Sequence, residues 1–177
     1  MGLGYRITYR GWQFWKVIVA RPLSPKAVAS IKTVLNGEQT QLFLRQSPAG
    51  QQHGYRVMQS LLNKGPQDQE LLAAALLHDV GKIHIKSKWW DRPVVVLAQA
   101  LFPGKVEQWG DGDGSGWRRP FLIKKRHPDW GADYAEATSC TPLTVELIRR
   151  HQDPVNDRLG NRESDWLSLL QWSDDRS

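Results

Sequence analysis

Cysteine is nearly missing from this chain: Cys140 is the only one in 177 residues. One thiol closes no internal disulfide, so a reducing compartment is expected and thiolate metal ligation is not. Long apolar runs are missing as well. No stretch reaches the roughly 18 consecutive apolar residues of a membrane span. The opening residues Met1-Gly2-Leu3-Gly4-Tyr5-Arg6 lack the apolar centre of a secretion signal, so cytoplasmic localisation is the expectation. No internal repeat is visible, and no strict apolar–polar alternation extends beyond a few residues, which leaves little signal for strands. The glycine- and aspartate-rich run from Gly110 to Gly116 has no glutamate at the distance a calcium loop requires and reads as a solvent loop.

What is present describes an ordinary globular domain. Hydrophobic residues make up 40% and charged residues 24%, at a length sufficient for one domain with a real core. The net charge of +6 suggests an anionic partner without naming it. Nucleic acid is not expected, because only the Arg118-Arg119 and Lys124-Lys125-Arg126 clusters favour it and no recognition motif accompanies them. A membrane surface is a weaker candidate, resting on aromatic and basic residues in one segment. Of nine tryptophans, Trp89, Trp90 and Trp117 lie in that segment and could stack on a nucleobase, whereas most of the others suit a core.

The pattern is almost entirely helical. Ser24-Pro25, Ser47-Pro48 and Thr141-Pro142 read as N-caps followed by first-turn prolines, and Gly37 and Gly65 read as stops. Helices are expected over about 25–36, 38–46, 48–63 and 142–151, with one ending at His78-Asp79 and a last one starting at Ser164. Residues 1–23 suggest a short helix or arm, and residues 85–126 a less regular segment.

The most informative residues are His78 and Asp79. They close the apolar run Leu71-Leu72-Ala73-Ala74-Ala75-Leu76-Leu77 and precede Val80-Gly81-Lys82. Burying an unpaired carboxylate is costly, and a cation satisfies both side chains. Neighbours on a helix point roughly 100° apart, but at a helix end both can turn toward one ion. The other histidines are His53, His84, His127 and His151, and the last helix carries Asp174. Imidazole and carboxylate together suit borderline divalent ions: Fe, Mn, Co, Ni or Zn.

The order His53, His78-Asp79, His127, His151, Asp174 resembles the HD superfamily of metal-dependent phosphohydrolases, over about residues 47–176. His78-Asp79-Val80-Gly81-Lys82 is similar to that family's H-D-I-G-K signature, and His127-Pro128, Gly131-Ala132 to the H-P-x-x-G-A element of its binuclear subgroup. The resemblance implies an all-α fold, a single HD-domain helical bundle, with 1–46 as an N-terminal helical extension packed on an HD domain at 47–177. It implies a divalent transition metal, two ions in the binuclear form. Asp79 would bridge them, with His53, His78 and Asp174 completing one site and His127 and His151 the other. It implies hydrolysis of a phosphorylated small molecule, a nucleotide or related phosphoester or phosphoanhydride, by a metal-bridged hydroxide. The alternative is a regulatory module that binds a nucleotide without turning it over.

Asp79 and Lys82 are the candidate catalytic residues; Lys82 could contact a substrate phosphate or an aspartate ligand. Arg56 and Arg150 are weaker candidates for substrate phosphate, and His84 is expected outside the ligand set. Arg150 stands where cyclic di-GMP hydrolases have a second histidine, and no Gly-Tyr-Pro follows His151. The single-histidine form looks closer to hydrolases of dinucleoside tetraphosphates. Asp175 is an alternative last ligand, but Trp172-Ser173-Asp174 fits the family's apolar-small-Asp pattern and favours Asp174.

Overall fold

The computed structural model describes residues 21–65, 68–85, 90–112, 114–155 and 162–177; the expected arm at 1–23 lies almost wholly outside them. Among the described residues there are nine α-helices and no strand. They are α1 Pro25–Lys32, α2 Gly37–Leu44, α3 Pro48–Lys64, α4 Gln69–Leu77, α5 Asp91–Leu101, α6 Pro103–Trp109, α7 Arg119–Ala137, α8 Pro142–Arg150 and α9 Arg162–Asp174. A short 3-10 turn, Val80–Ile83, follows α4.

Local chemistry sets the starts. Ser24, Ser47 and Thr141 each accept a hydrogen bond from a first-turn backbone N–H, ahead of a proline. Gly37 does not stop the first helix as expected; it is the first residue of α2. Asn36 takes over there, accepting from Gln39 N while the Gln39 side chain accepts from Asn36 N, and this reciprocal cap ends the preceding turn. Asp68 caps α4 by accepting from Glu70 N and Leu71 N.

Helix α4 is the axis of the core. Every residue from Leu71 to Leu77 is buried. Around it lie Val57, Met58 and Leu61 of α3, Ala132 and Ala135 of α7, Leu147 and Ile148 of α8, and Leu167 and Leu170 of α9. Each fully buried leucine here stabilises the fold by about 1.5–3 kcal/mol. Ile31, Leu35, Leu42 and Phe43, from α1, α2 and the link between them, join the same cluster.

Residues 85–126 depart from expectation. They hold α5, α6 and the first turns of α7 rather than irregular chain. Pro93 and Pro103 fall in first turns, where a missing N–H costs nothing, and so start helices instead of breaking them. Ala98, Val106 and Phe121 form a second small core beside Val95 and Trp109, and this packing overrides the weak helix preference of Val94-Val95-Val96. Gly110 and Asp111 form a turn, Asp111 pairs with Lys125, and Gly116 begins a short 3-10 turn to Arg118.

Candidate metal centre

Three helices bring their C-terminal ends to one place. Thr144 Oγ1 near the start of α8 donates to Glu70 O near the start of α4, at 3.1 Å. Arg162 at the start of α9 pairs with Asp68 at 2.6 Å. The starts of α4, α8 and α9 are therefore tied together, the three run parallel, and His78, His151 and Asp174 emerge together at their far ends. A helix C-terminus carries about half a negative charge, so three of them converging favour a cation.

Two further elements close in because of glycine. A Cβ on Gly54 would lie 2.9 Å from Leu76 O, so its absence lets α3 lie against the end of α4 and brings His53 to His78. A Cβ on Gly81 would lie 1.9 Å from His127 O and 2.6 Å from Gly131 N. The 3-10 turn thus touches the α7 backbone directly, which sets Asp79 beside His127.

The result is two groups of potential ligands, His53, His78 and Asp174, and Asp79, His127 and His151, with the ligand atoms of each group all within 4.8 Å of one another. In the first, Asp174 Oδ1 lies 2.7 Å from His53 Nε2 and 3.5 Å from His78 Nε2. In the second, His127 Nε2 lies 3.3 Å from Asp79 Oδ1 and 3.2 Å from His151 Nε2. Asp79 serves both: Oδ1 faces the second group, while Oδ2 lies 3.7 Å from His78 and 3.9 Å from His53. Lys82 Nζ holds Oδ2 at 2.6 Å.

The protons show what these groups lack. His78 Nδ1 is 2.9 Å from Ala75 O, His127 Nδ1 is 2.9 Å from both Ile123 O and Lys124 O, and His151 Nδ1 is 2.7 Å from Ile148 O. A carbonyl only accepts, so each Nδ1 carries a proton, and in the neutral rings of His127 and His151 the Nε2 lone pair faces inward. Pro128 explains the second His127 contact: it has no N–H for the Lys124 carbonyl one turn back, and the imidazole donates there instead. His127 Nε2 and His151 Nε2 therefore face each other lone pair to lone pair, and His78 Nε2 is buried without a hydrogen-bond partner. A divalent cation satisfies all of them. Two ligands about 2.1 Å from one ion stand about 3.0 Å apart at an octahedral angle and about 3.4 Å at a tetrahedral one. Most of the spacings above lie near that range, so the residues fit a metal.

Electrostatics agrees. Burial is the main force on the histidines and holds His53 and His127 below the ordinary value and His151 at about 3. All three are neutral, as a ligand must be. Burial also presses on His78, but Asp79 and Asp174 outweigh it and raise its pKa. Asp79 and Asp174 stay ionised: burial opposes this, but Lys82, His78 and His127 hold Asp79 well below the usual carboxylate range, and His53 and His78 do the same for Asp174.

The other candidates divide. Asp174 faces the histidines, whereas Asp175 is exposed. Lys82 meets the aspartate, one of its two expected partners. Arg56 is half-buried on α3, one turn after His53. Arg150 turns to carboxylates instead: Glu163, Asp153 at 3.5 Å and Glu146 at 3.9 Å. His84 lies apart, stacked on Trp130 at 4.3 Å and bonded to Tyr134 Oη at 2.9 Å. Gln152 escapes a sequence reading; its Nε2 lies 3.3 Å from His127 Nε2, and adjacency to His151 is the only signal for it. Trp90 and Trp117 are exposed, and Trp89 lies outside the described residues. In comparisons with known proteins, no family model, no curated protein and no solved structure matches the chain.

Proposed function

We propose that this protein is a metal-dependent phosphohydrolase of the HD type, cleaving a nucleotide or related phosphoester or phosphoanhydride. The observation that carries this reading is Asp79, whose two oxygens face two separate His/Asp groups. Such a site suits two divalent ions side by side. When bound, they would neutralise phosphoryl oxygens and lower the pKa of a water.

The chain's own residues support a metal-dependent site over metal-free nucleotide binding. The site gathers two ionised carboxylates, imidazole nitrogens and three helix C-termini, with Lys82 already committed to Asp79. A phosphate would be repelled from such surroundings unless cations first reversed their sign. His78, His127 and His151 are held in one tautomer by backbone carbonyls, which is the usual support for metal-binding imidazoles. Arg150 is held by acids, which weakens it as a candidate for a substrate phosphate.

The test is elemental analysis of untagged, chelator-free protein, followed by a panel of nucleotides and dinucleoside polyphosphates with Mn, Fe, Co, Ni and Zn. Up to two transition-metal ions per chain and metal-dependent release of phosphate or a nucleotide are expected. Absence of bound metal after reloading would overturn the reading. Metal and nucleotide binding without turnover would transfer the site to the regulatory alternative.

A further inference from the structure

We infer that the outer face of α5 and α6 docks on an anionic phospholipid surface. Among the described residues, every exposed large hydrophobic side chain except Leu44 lies between residues 90 and 117. Val94, Leu97 and Leu101 follow one another at spacings of three and four and form one stripe of α5, with Leu97 61% and Leu101 60% exposed. The inner stripe, Asp91, Val95 and Ala98, faces α7. Between Pro93 and Leu101 the only polar residue is Gln99, so the solvent side of this helix is apolar where a surface helix is normally charged. The face continues through aromatic contacts: Phe102 to Trp109 at 6.0 Å, then Trp109 to Trp117 at 5.2 Å. Trp117 is 58% exposed and lies beneath the Arg118 guanidinium.

Charge selects the occupant. Residues 86–126 hold nine basic and four acidic side chains, a net of +5 out of +6 for the whole chain. Of the acids, Asp91 is neutralised by Arg119 and Asp111 by Lys125. Exposed Lys105, one turn past Phe102, and Arg118, over Trp117, border this apolar surface, with exposed Glu107 the one acid of α6. A second copy of this chain would bring two positive faces together. A nucleic acid would gain little from Leu97 and Leu101. A bilayer containing acidic lipid accepts the aliphatic stripe below its headgroups, seats Trp117 at the interface and attracts the basic rim. No helix of the described chain is long and apolar enough to cross a membrane, so the contact is peripheral.

The test is sedimentation of the full chain with vesicles of phosphatidylcholine alone and of a roughly three-to-one mixture with phosphatidylglycerol. Binding to the mixed vesicles only, weakened by salt, is expected. The double variant Leu97→Glu, Leu101→Glu should bind at least about tenfold more weakly, with an unchanged helical circular dichroism spectrum and urea midpoint as proof of folding. Lys105→Glu with Arg118→Glu, far from the main core, should remove the preference for acidic lipid and serves if the first variant fails to fold. No binding, equal binding to neutral vesicles, or binding unmoved in folded variants would overturn the proposal and leave the face to a protein partner.

Discussion

The converging ends of α4, α8 and α9 and the outer face of α5 break opposite rules. At the first, His78, Asp79, His127 and His151 are buried although polar. At the second, Leu97, Leu101 and Phe102 are exposed although apolar. Helix α7 joins the two, giving Phe121 to the small core and Ala132 and Ala135 to the large one. Buried polar and exposed apolar groups are the informative exceptions in a folded chain. The first region buries polar side chains at a cost in stability, and the second leaves apolar area outside any core.

The largest effect should come from Asp79→Ala. It removes the one side chain common to both groups, and elemental analysis should find metal content near zero and hydrolysis lost. Full retention of metal would refute the shared site. Gly81→Ala should come next, because its Cβ would overlap the His127 carbonyl. A loss of about 3 kcal/mol or more is expected in urea unfolding, together with weaker metal binding, and a neutral result would contradict the contact between the turn and α7. In the large core, Leu76→Ala should cost about 2–5 kcal/mol by the same measurement.

Acid should act on the first region more than on the second. His53, His127 and His151 have folded pKa values below their unfolded value of 6.5. Their stabilising contribution is present above 6.5 and is lost as pH falls toward about 3, the folded value for His151. His78 is raised and opposes this, contributing below 6.5 and losing its contribution as pH rises. Asp79 and Asp174, both lowered, add a further loss below their unfolded value of 3.8. The metal-free protein should therefore weaken steadily on acidification from about pH 7 to pH 4; a urea midpoint that rose instead would show the histidines to be charged in the fold. The smallest effect belongs to Leu97→Ala, within about 0.5 kcal/mol. A core-like loss there would mean that the α5 stripe is covered in solution.

Much of the centre was legible because its signals are local. His78-Asp79 stands out at the end of an apolar run, and serine or threonine before proline marks the helix starts. What escaped depends on distant residues. Arg150 reads as a phosphate ligand until Glu163, on another helix, takes it. Pro93 and the run Val94 to Val96 read as irregular chain until Phe121 supplies a core for them. Lys82 had two readings, and the tight turn after α4 brings it back to Asp79, the one of its two expected partners that the fold contains.

Asp79 has one more consequence. A carboxylate presented to both groups would make their occupancies, if both hold ions, linked quantities. An ion held beside His127 and His151 would meet Oδ1 of the carboxylate whose Oδ2 an ion beside His53 and His78 would meet, and only the second would compete with Lys82 for Oδ2. Loading should follow a coupled isotherm rather than two independent ones. Weakening one half, by His151→Gln for instance, should change the apparent affinity of the other, although no atom of that other half has been altered.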